Sequence, residues 1–239
     1  MVDETGLLEG SFCLKKKTRI IIDISMTVMM PLLMAYSLIG ELFHEIAGSL
    51  IFILFIGHHI LNRKWYGAIA KGKYNAKRTF QTILNTLLLV FMILQPLSGI
   101  LMSKHLYTFL PDFPVSALAR SVHMLLAYWG YVLLCIHAGT HMLPMFTAKK
   151  VNNLKKGVIY LTISALSVYG VVAFTKRGFP GYMFGKTVFA FFDYDEPRIC
   201  FFIDYVAIMI LFMITGCLVT YVLSLIGNRT NKKQDGNTM

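Results

Sequence analysis

The chain has 239 residues, of which 56% are apolar and only 15% charged, with a formal net charge of +11. Its mean hydropathy is +0.62, whereas soluble domains run at roughly 45–50% apolar and about 25% charged. Composition therefore excludes a soluble enzyme, a disordered tail and a disulfide scaffold. The basic excess points to cytoplasmic loops rather than nucleic acid, because Lys and Arg cluster between apolar blocks and not along amphipathic faces.

The N-terminal region places Lys15, Lys16, Lys17 and Arg19 before an apolar run over 20–39. That run exceeds the core of a signal peptide and has no A-x-A cleavage site, so it reads as a retained anchor. Five more apolar segments follow at 43–61, 80–103, 119–142, 158–174 and 201–226. A bilayer crossing takes about 20 apolar residues, and a lone segment satisfies its backbone in lipid only as a helix. The expected fold is an all-α membrane protein of six transmembrane helices in one membrane domain, 1–239. Within it, 20–142 is expected to form a four-helix bundle, and 158–226 to add two helices joined by an outer loop at 175–200.

Pro31 and Pro96 fall inside the first and third segments, where neighbouring helices can satisfy the freed backbone groups. Of the 23 Lys and Arg residues, 17 lie in the N-terminal region, 62–79, 143–157 and the tail; the other connections hold 6. This bias places both termini in the cytoplasm of a multi-pass cell-membrane protein. The connection around Gly40–Phe43 is short enough to make the first two helices a tight antiparallel hairpin. Cys13, Cys135, Cys200 and Cys217 form neither C-x-x-C nor the C-x-x-C-H of covalent haem attachment. Cys135 and Cys217 read as small apolar residues.

Six of the seven histidines, His44, His58, His59, His123, His137 and His141, lie in or at the rims of segments two and four. Ionisable groups in a membrane point to function. His44 and His58 are 14 residues apart, as are His123 and His137. On an α-helix that spacing is four turns less about 40° and a rise of about 21 Å. Each helix thus carries two imidazoles on one face, one near each membrane surface. One helix crosses between the two segments, so they run parallel, with His44 level with His123 and His58 with His137. This arrangement suits two stacked haems, each held axially by one imidazole from each helix. The haem face of segment four reads His123, Ala127, Gly130, Leu134, His137, with Gly130 midway. Segment two offers Gly48 one turn below His44, then Ile51 and Phe55. His137-x3-His141 has i,i+4 geometry but lacks the glutamate of a zinc protease motif.

Other positions carry two readings each. His58 lies nearer the stripe than His59 as the inner ligand. Asp23 makes an i,i+4 ion pair with Arg19, or marks a proton or quinone site. His105 and His141 each meet a haem propionate or face water. The methionines of the first segment read as packing. The aromatic loop 175–200 forms a docking surface or an interfacial helix on lipid. Glu41, Glu45, Asp112, Asp193, Asp195 and Glu196 balance the bases of the outer connections.

Phe43-His44-Glu45-Ile46-Ala47-Gly48 and His58-His59-Ile60-Leu61-Asn62-Arg63-Lys64-Trp65-Tyr66 resemble the flavinylation-associated cytochrome family. So do Ser121-Val122-His123, Tyr128-Trp129-Gly130 and His137-Ala138-Gly139-Thr140-His141. The resemblance covers 20–142 and, less specifically, the Phe-Asp-Tyr-Asp stretch and the last helix. It implies a membrane cytochrome b with two haem b groups ligated by His44, His58, His123 and His137. It also implies electron passage between membrane quinol and an extracytosolic flavin-bearing redox protein. Asn62 stands where many relatives carry another histidine. No D-G-x-T-G-A-T flavin-attachment motif occurs, so the flavin belongs to the partner. The chain is then an electron-transfer subunit rather than a stand-alone enzyme. Two other classes fit intramembrane histidines: a non-redox transporter with a proton relay, which should show inverted repeats, and a haemless anchor for a soluble enzyme. A visible spectrum separates the first class from both.

Overall fold

The computed structural model describes residues 4–110, 116–146, 153–187, 189–190 and 192–236, and the described residues contain helices and no strand. Five of those helices are long and apolar enough to cross a membrane: Glu41–Leu61, Ala76–Ile100, Ala117–Met142, Gly157–Lys176 and Arg198–Gly227. The chain forms two compact units, one of residues 1–72 with 103–110, the other of 73–102 with 111–239.

In the first unit, α1 (Glu4–Met34) is followed by a single turn, α2 (Tyr36–Ile39). The apolar segment over 20–39 is therefore not one straight helix. Pro31 removes a backbone donor and crowds the preceding turn. Three residues after it α1 ends, and buried Ala35 adopts φ −86°, ψ 27°. The helical part of that segment, from Ile20 to Met34, spans about 22 Å, short of the roughly 30 Å hydrocarbon core. Asp23 and the basic residues before it lower its apolar character further.

Gly40 alone joins α2 to α3 (Glu41–Leu61), so the connection is even shorter than the sequence suggests. Its φ of 88° is the left-handed conformation that favours glycine. The chain reverses there, and α1 packs antiparallel to α3. Arg19 Nη2 donates to the Leu61 carbonyl at 2.6 Å, and Gly57 lies opposite Ile22. Met26 and Met30 are buried, in keeping with packing roles. A short helix, α4 (Lys64–Ile69), follows α3. The 103–110 segment is tied to α3 by Glu45, whose carboxylate accepts from Ser103 Oγ (2.7 Å) and from the backbone N–H groups of Lys104 (2.8 Å), His105 (3.2 Å) and Leu106 (2.9 Å).

The second unit contains α5 (Ala76–Ile100), α6 (Ser116–Phe146), α7 (Asn153–Lys176), the short α8 (Phe179–Met183) and α9 (Arg198–Gly236). Asn75 caps α5 by accepting from the Arg78 N–H at 2.9 Å. Helix α5 runs through Pro96 without ending. Helix α6 packs on α5 and α9, and α9 also packs on α7. Close approach of α6 and α9 depends on glycine: a Cβ at Gly139 would overlap the Met213 carbonyl, and one at Gly216 the Ile136 carbonyl. Gly170 plays the same part between α7 and the Ala207 carbonyl of α9.

The stretch at 175–200, read from sequence as an aromatic outer loop, begins with a short buried helix. Phe179, Tyr182 and Met183 of α8 are buried. Tyr182 stacks on Tyr128 with centroids 4.1 Å apart, and Trp129 Nε1 donates to the Met183 carbonyl at 2.8 Å. Further on, Phe192 packs on Phe201 of α9. Phe191 lies outside the described residues.

Candidate functional site

The first unit carries His44 and His58 on α3; the second carries His123 and His137 on α6. All four are half-buried, while His105 and His141 are exposed.

His58 Nδ1 lies 2.7 Å from Asp23 Oδ1 of α1. A carboxylate only accepts, so Nδ1 carries a proton, and in the neutral imidazole the lone pair is then on Nε2. Among the described residues Asp23 thus pairs with His58 and not with Arg19, whose guanidinium is turned to the Leu61 carbonyl. An i,i+4 argument sees one helix only; the antiparallel hairpin supplies a closer partner. Asn62 donates to the His58 carbonyl at 2.9 Å.

His137 repeats the pattern in the second unit. Its Nδ1 lies 2.8 Å from Asn85 Oδ1 on α5, an oxygen that again only accepts. His123 is held more fully. Its Nδ1 lies 3.2 Å from the Gln95 carbonyl and 3.1 Å from Ser98 Oγ. Ser98 spends its own proton on the Gln95 carbonyl at 2.7 Å, so both oxygens accept from Nδ1–H. Nε2 of His123 then accepts from the Gln95 side-chain amide at 3.1 Å. Gly99 makes this fit: a Cβ there would sit 3.3 Å from His123 Cε1. His44 packs edge-on against Tyr36, with centroids 5.2 Å apart, and has the Leu33 backbone carbonyl beside it at the break in the first helix.

His59 differs. Its Nδ1 bonds the Tyr66 hydroxyl of α4 at 2.6 Å, and its ring meets Phe55 edge-on at 4.3 Å. His141 sits edge-on to His137, with centroids 4.9 Å apart. His105 Nε2 approaches Glu41 Oε2 at 3.6 Å, beside the Lys104–Glu41 ion pair at 2.8 Å. Glu41 and Glu45 are therefore engaged by the 103–106 segment rather than standing as free loop acids. Asp112 lies outside the described residues. Among those residues no three His, Cys, Asp or Glu side chains converge as a metal cluster, whereas axial haem ligation asks for only two imidazoles per iron.

Gly48 and Gly130 contrast with the packing glycines. A Cβ at either would meet no heavy atom within 4 Å, so helix–helix contact among the described residues of each unit does not require them. Gly130 lies on the His123–His137 face together with the buried Leu126 and Leu134, while Tyr128, Tyr131, Val132 and Cys135 are buried on the other side of the helix.

Sequence reasoning missed Asn85, Gln95 and Ser98. Their signal was polarity inside an otherwise apolar helix, the same rule that singled out the histidines. It also missed Asp204, which is fully buried in α9. Asp204 is bonded by Tyr169, by Lys176 at 3.0 Å and by Arg177 at 2.7 Å. Glu196 completes this network, 2.7 Å from Lys176 and 2.6 Å from Arg177.

Intramembrane histidines with Nδ1 held by oxygen acceptors on a neighbouring helix, and Nε2 carrying the lone pair, fit the donor set of haem iron. The class so defined is a membrane b-type cytochrome. Residues 18–157, more than half the chain, match the family described as prokaryotic cytochrome b561, and the chain belongs to that family. Membership implies haem b, electron transfer and redox partners such as quinones. No curated protein and no solved structure matches the chain.

Proposed function

We propose that this cytochrome carries electrons across the cell membrane through two bis-histidine haems b, as an electron-transfer subunit. His44 and His123 hold the outer haem; His58 and His137 hold the inner. The observation that carries the reading is the fixed Nδ1–H of His58, His123 and His137, each directed at an oxygen of an adjacent helix. A proton relay needs an imidazole that exchanges protons at both nitrogens; all three have Nδ1 committed, and Nε2 of His123 also meets the Gln95 amide. The matched 14-residue spacing supports the pairing.

Haem b supplies one-electron Fe(II)/Fe(III) exchange; the chain's residues set axial ligation, burial and ring orientation. Gly48 and Gly130 leave room beside the ligands. The helix interrupted at Ala35 makes the sixth crossing, with 36–39 completing it, and the basic bias of 1–19, 62–79, 143–157 and the tail puts both termini in the cytoplasm. Membrane quinol is the donor and an extracytosolic flavoprotein the acceptor. This assignment draws on the resemblance to flavinylation-associated cytochromes and on the one-residue connection at Gly40 that precedes His44.

The test is a dithionite-reduced minus oxidised spectrum with pyridine haemochrome quantification on the purified chain. A b-type spectrum with close to two haems per polypeptide is expected. One haem, or none in a folded preparation, overturns the proposal, and a haemless chain returns the transporter and anchor readings.

A further inference from the structure

The oxygen acceptors behind the histidines differ in charge. Gln95 offers His123 a backbone carbonyl and Asn85 offers His137 an amide oxygen, both neutral. Asp23 offers His58 a carboxylate. Arg19, one turn before Asp23, is turned to the Leu61 carbonyl and makes no direct ion pair with that carboxylate. A partner that accepts the Nδ1 proton raises the basicity of the imidazole as a ligand, and an anion does so more than a neutral oxygen. A more basic axial ligand stabilises ferric over ferrous iron.

We infer that Asp23 is a positioning residue for His58, holding its Nε2 toward iron, and that it makes the inner haem the lower-potential of the two. The inference rests on His58 being an axial ligand, as proposed above. It gives electrons a downhill step from the inner haem to the outer one. Asp23 then has a role that neither a helix-surface ion pair nor lipid contact supplies.

The experiment is a spectroscopic redox titration of the purified full chain, with haem per polypeptide measured first. His58→Ala identifies the inner component as the one it removes, which is expected to be the lower-potential step. Asp23→Asn, isosteric and neutral, is expected to raise that step by at least tenfold in its reduction equilibrium, about 59 mV for one electron, leaving the other step in place. Asn85→Asp, which adds an anion behind the opposite ligand, is expected to lower the same step. If Asp23→Asn sheds the inner haem while Asp23→Glu retains it, the positioning role stands and Asn85→Asp decides the electronic one. The inference is overturned if His58→Ala removes the higher-potential step, if an Asp23→Asn chain that keeps both haems leaves the inner step unmoved, or if Asp23→Asn sheds the inner haem and Asn85→Asp leaves that step unmoved. A wild-type chain without haem would instead refute the reading of the histidines, before any titration.

Discussion

Asp204 and Arg177 form a charge pair at 2.7 Å, with the Asp204 side chain fully buried and that of Arg177 at 12% exposure. The pair joins α9 to the residue just past the end of α7. Lys176 and Glu196 extend it, and Gly178, at φ 67°, turns the chain into buried α8. Removing one partner of such a pair leaves the other charged and desolvated, at a cost of about 3–5 kcal/mol. Asp204→Ala is therefore expected to lower the thermal unfolding temperature in detergent markedly. Asp193→Ala, whose side chain caps only its own turn by accepting from the Asp195 N–H at 3.0 Å, should leave it nearly unchanged. Equal melting of the two variants would show that the network adds no net stability.

Glu196 adds a pH dependence to the same corner. Hydrogen bonding to Lys176, and then to Arg177, holds its carboxyl below the ordinary glutamate value of 4.5. A depressed folded-state pKa contributes stability that is complete above the ordinary value and is lost as pH falls through the depressed one. Wild-type protein is thus expected to exceed Glu196→Gln in melting temperature at pH 7, with the gap closing below about pH 4.5. A gap that does not narrow at all as the pH falls below 4.5 would mean the glutamate acts through packing rather than charge.

The glycines separate packing from cofactor space. Gly139→Ala is expected to push α6 away from α9 and destabilise the second unit, since overpacking costs about 1–3 kcal/mol or more. Gly130→Leu should insert and fold normally yet lose haem or shift its spectrum. Haem content per folded chain and melting temperature, measured on both variants, give opposite outcomes if Gly130 faces the macrocycles. Unchanged haem in Gly130→Leu would place that face elsewhere.

Ligand pairing is checked by subtraction. His44→Ala and His123→Ala should remove the same spectral component, and His58→Ala and His137→Ala the other. His59 offers its Nδ1 to Tyr66 rather than to a carboxylate, and His59→Ala should retain both haems. Loss of the inner haem in His59→Ala but not in His58→Ala would move the ligand by one residue.

Docking of an extracytosolic flavoprotein is best tested at Asp193 and Asp195, because Glu196 is committed to Lys176 and Arg177. Reversing the two aspartates should slow electron delivery to the acceptor and weaken its salt dependence, as rim charges act mainly on association rate. Quinol-dependent reduction should stay normal. Wild-type delivery at low salt would exclude this stretch as the docking surface.

Apolar blocks, basic clusters and the two His-x13-His pairs were legible in the sequence because each is a property of one helix. Length against bilayer thickness, charge bias and a fixed 100° per residue need no knowledge of neighbours. The membrane cytochrome b class follows from the same region, since the match over 18–157 contains all four histidines, but that match is to the prokaryotic cytochrome b561 family and not to the flavinylation-associated one the motifs resemble. What one helix does not contain is its partner. The pairing of Asp23 with His58 instead of Arg19 required the reversal at Gly40. The anchoring of His123 by Gln95 and Ser98, and of His137 by Asn85, required α5 and α6 to lie side by side. The break at Ala35, the burial of α8 and the gathering of Lys176, Arg177 and Glu196 around Asp204 were likewise decided in three dimensions. Hydrophobic periodicity says that a face is buried, but not against what. Which nitrogen of a histidine keeps its proton depends on the atom across from it, and only the packed helices determine that atom.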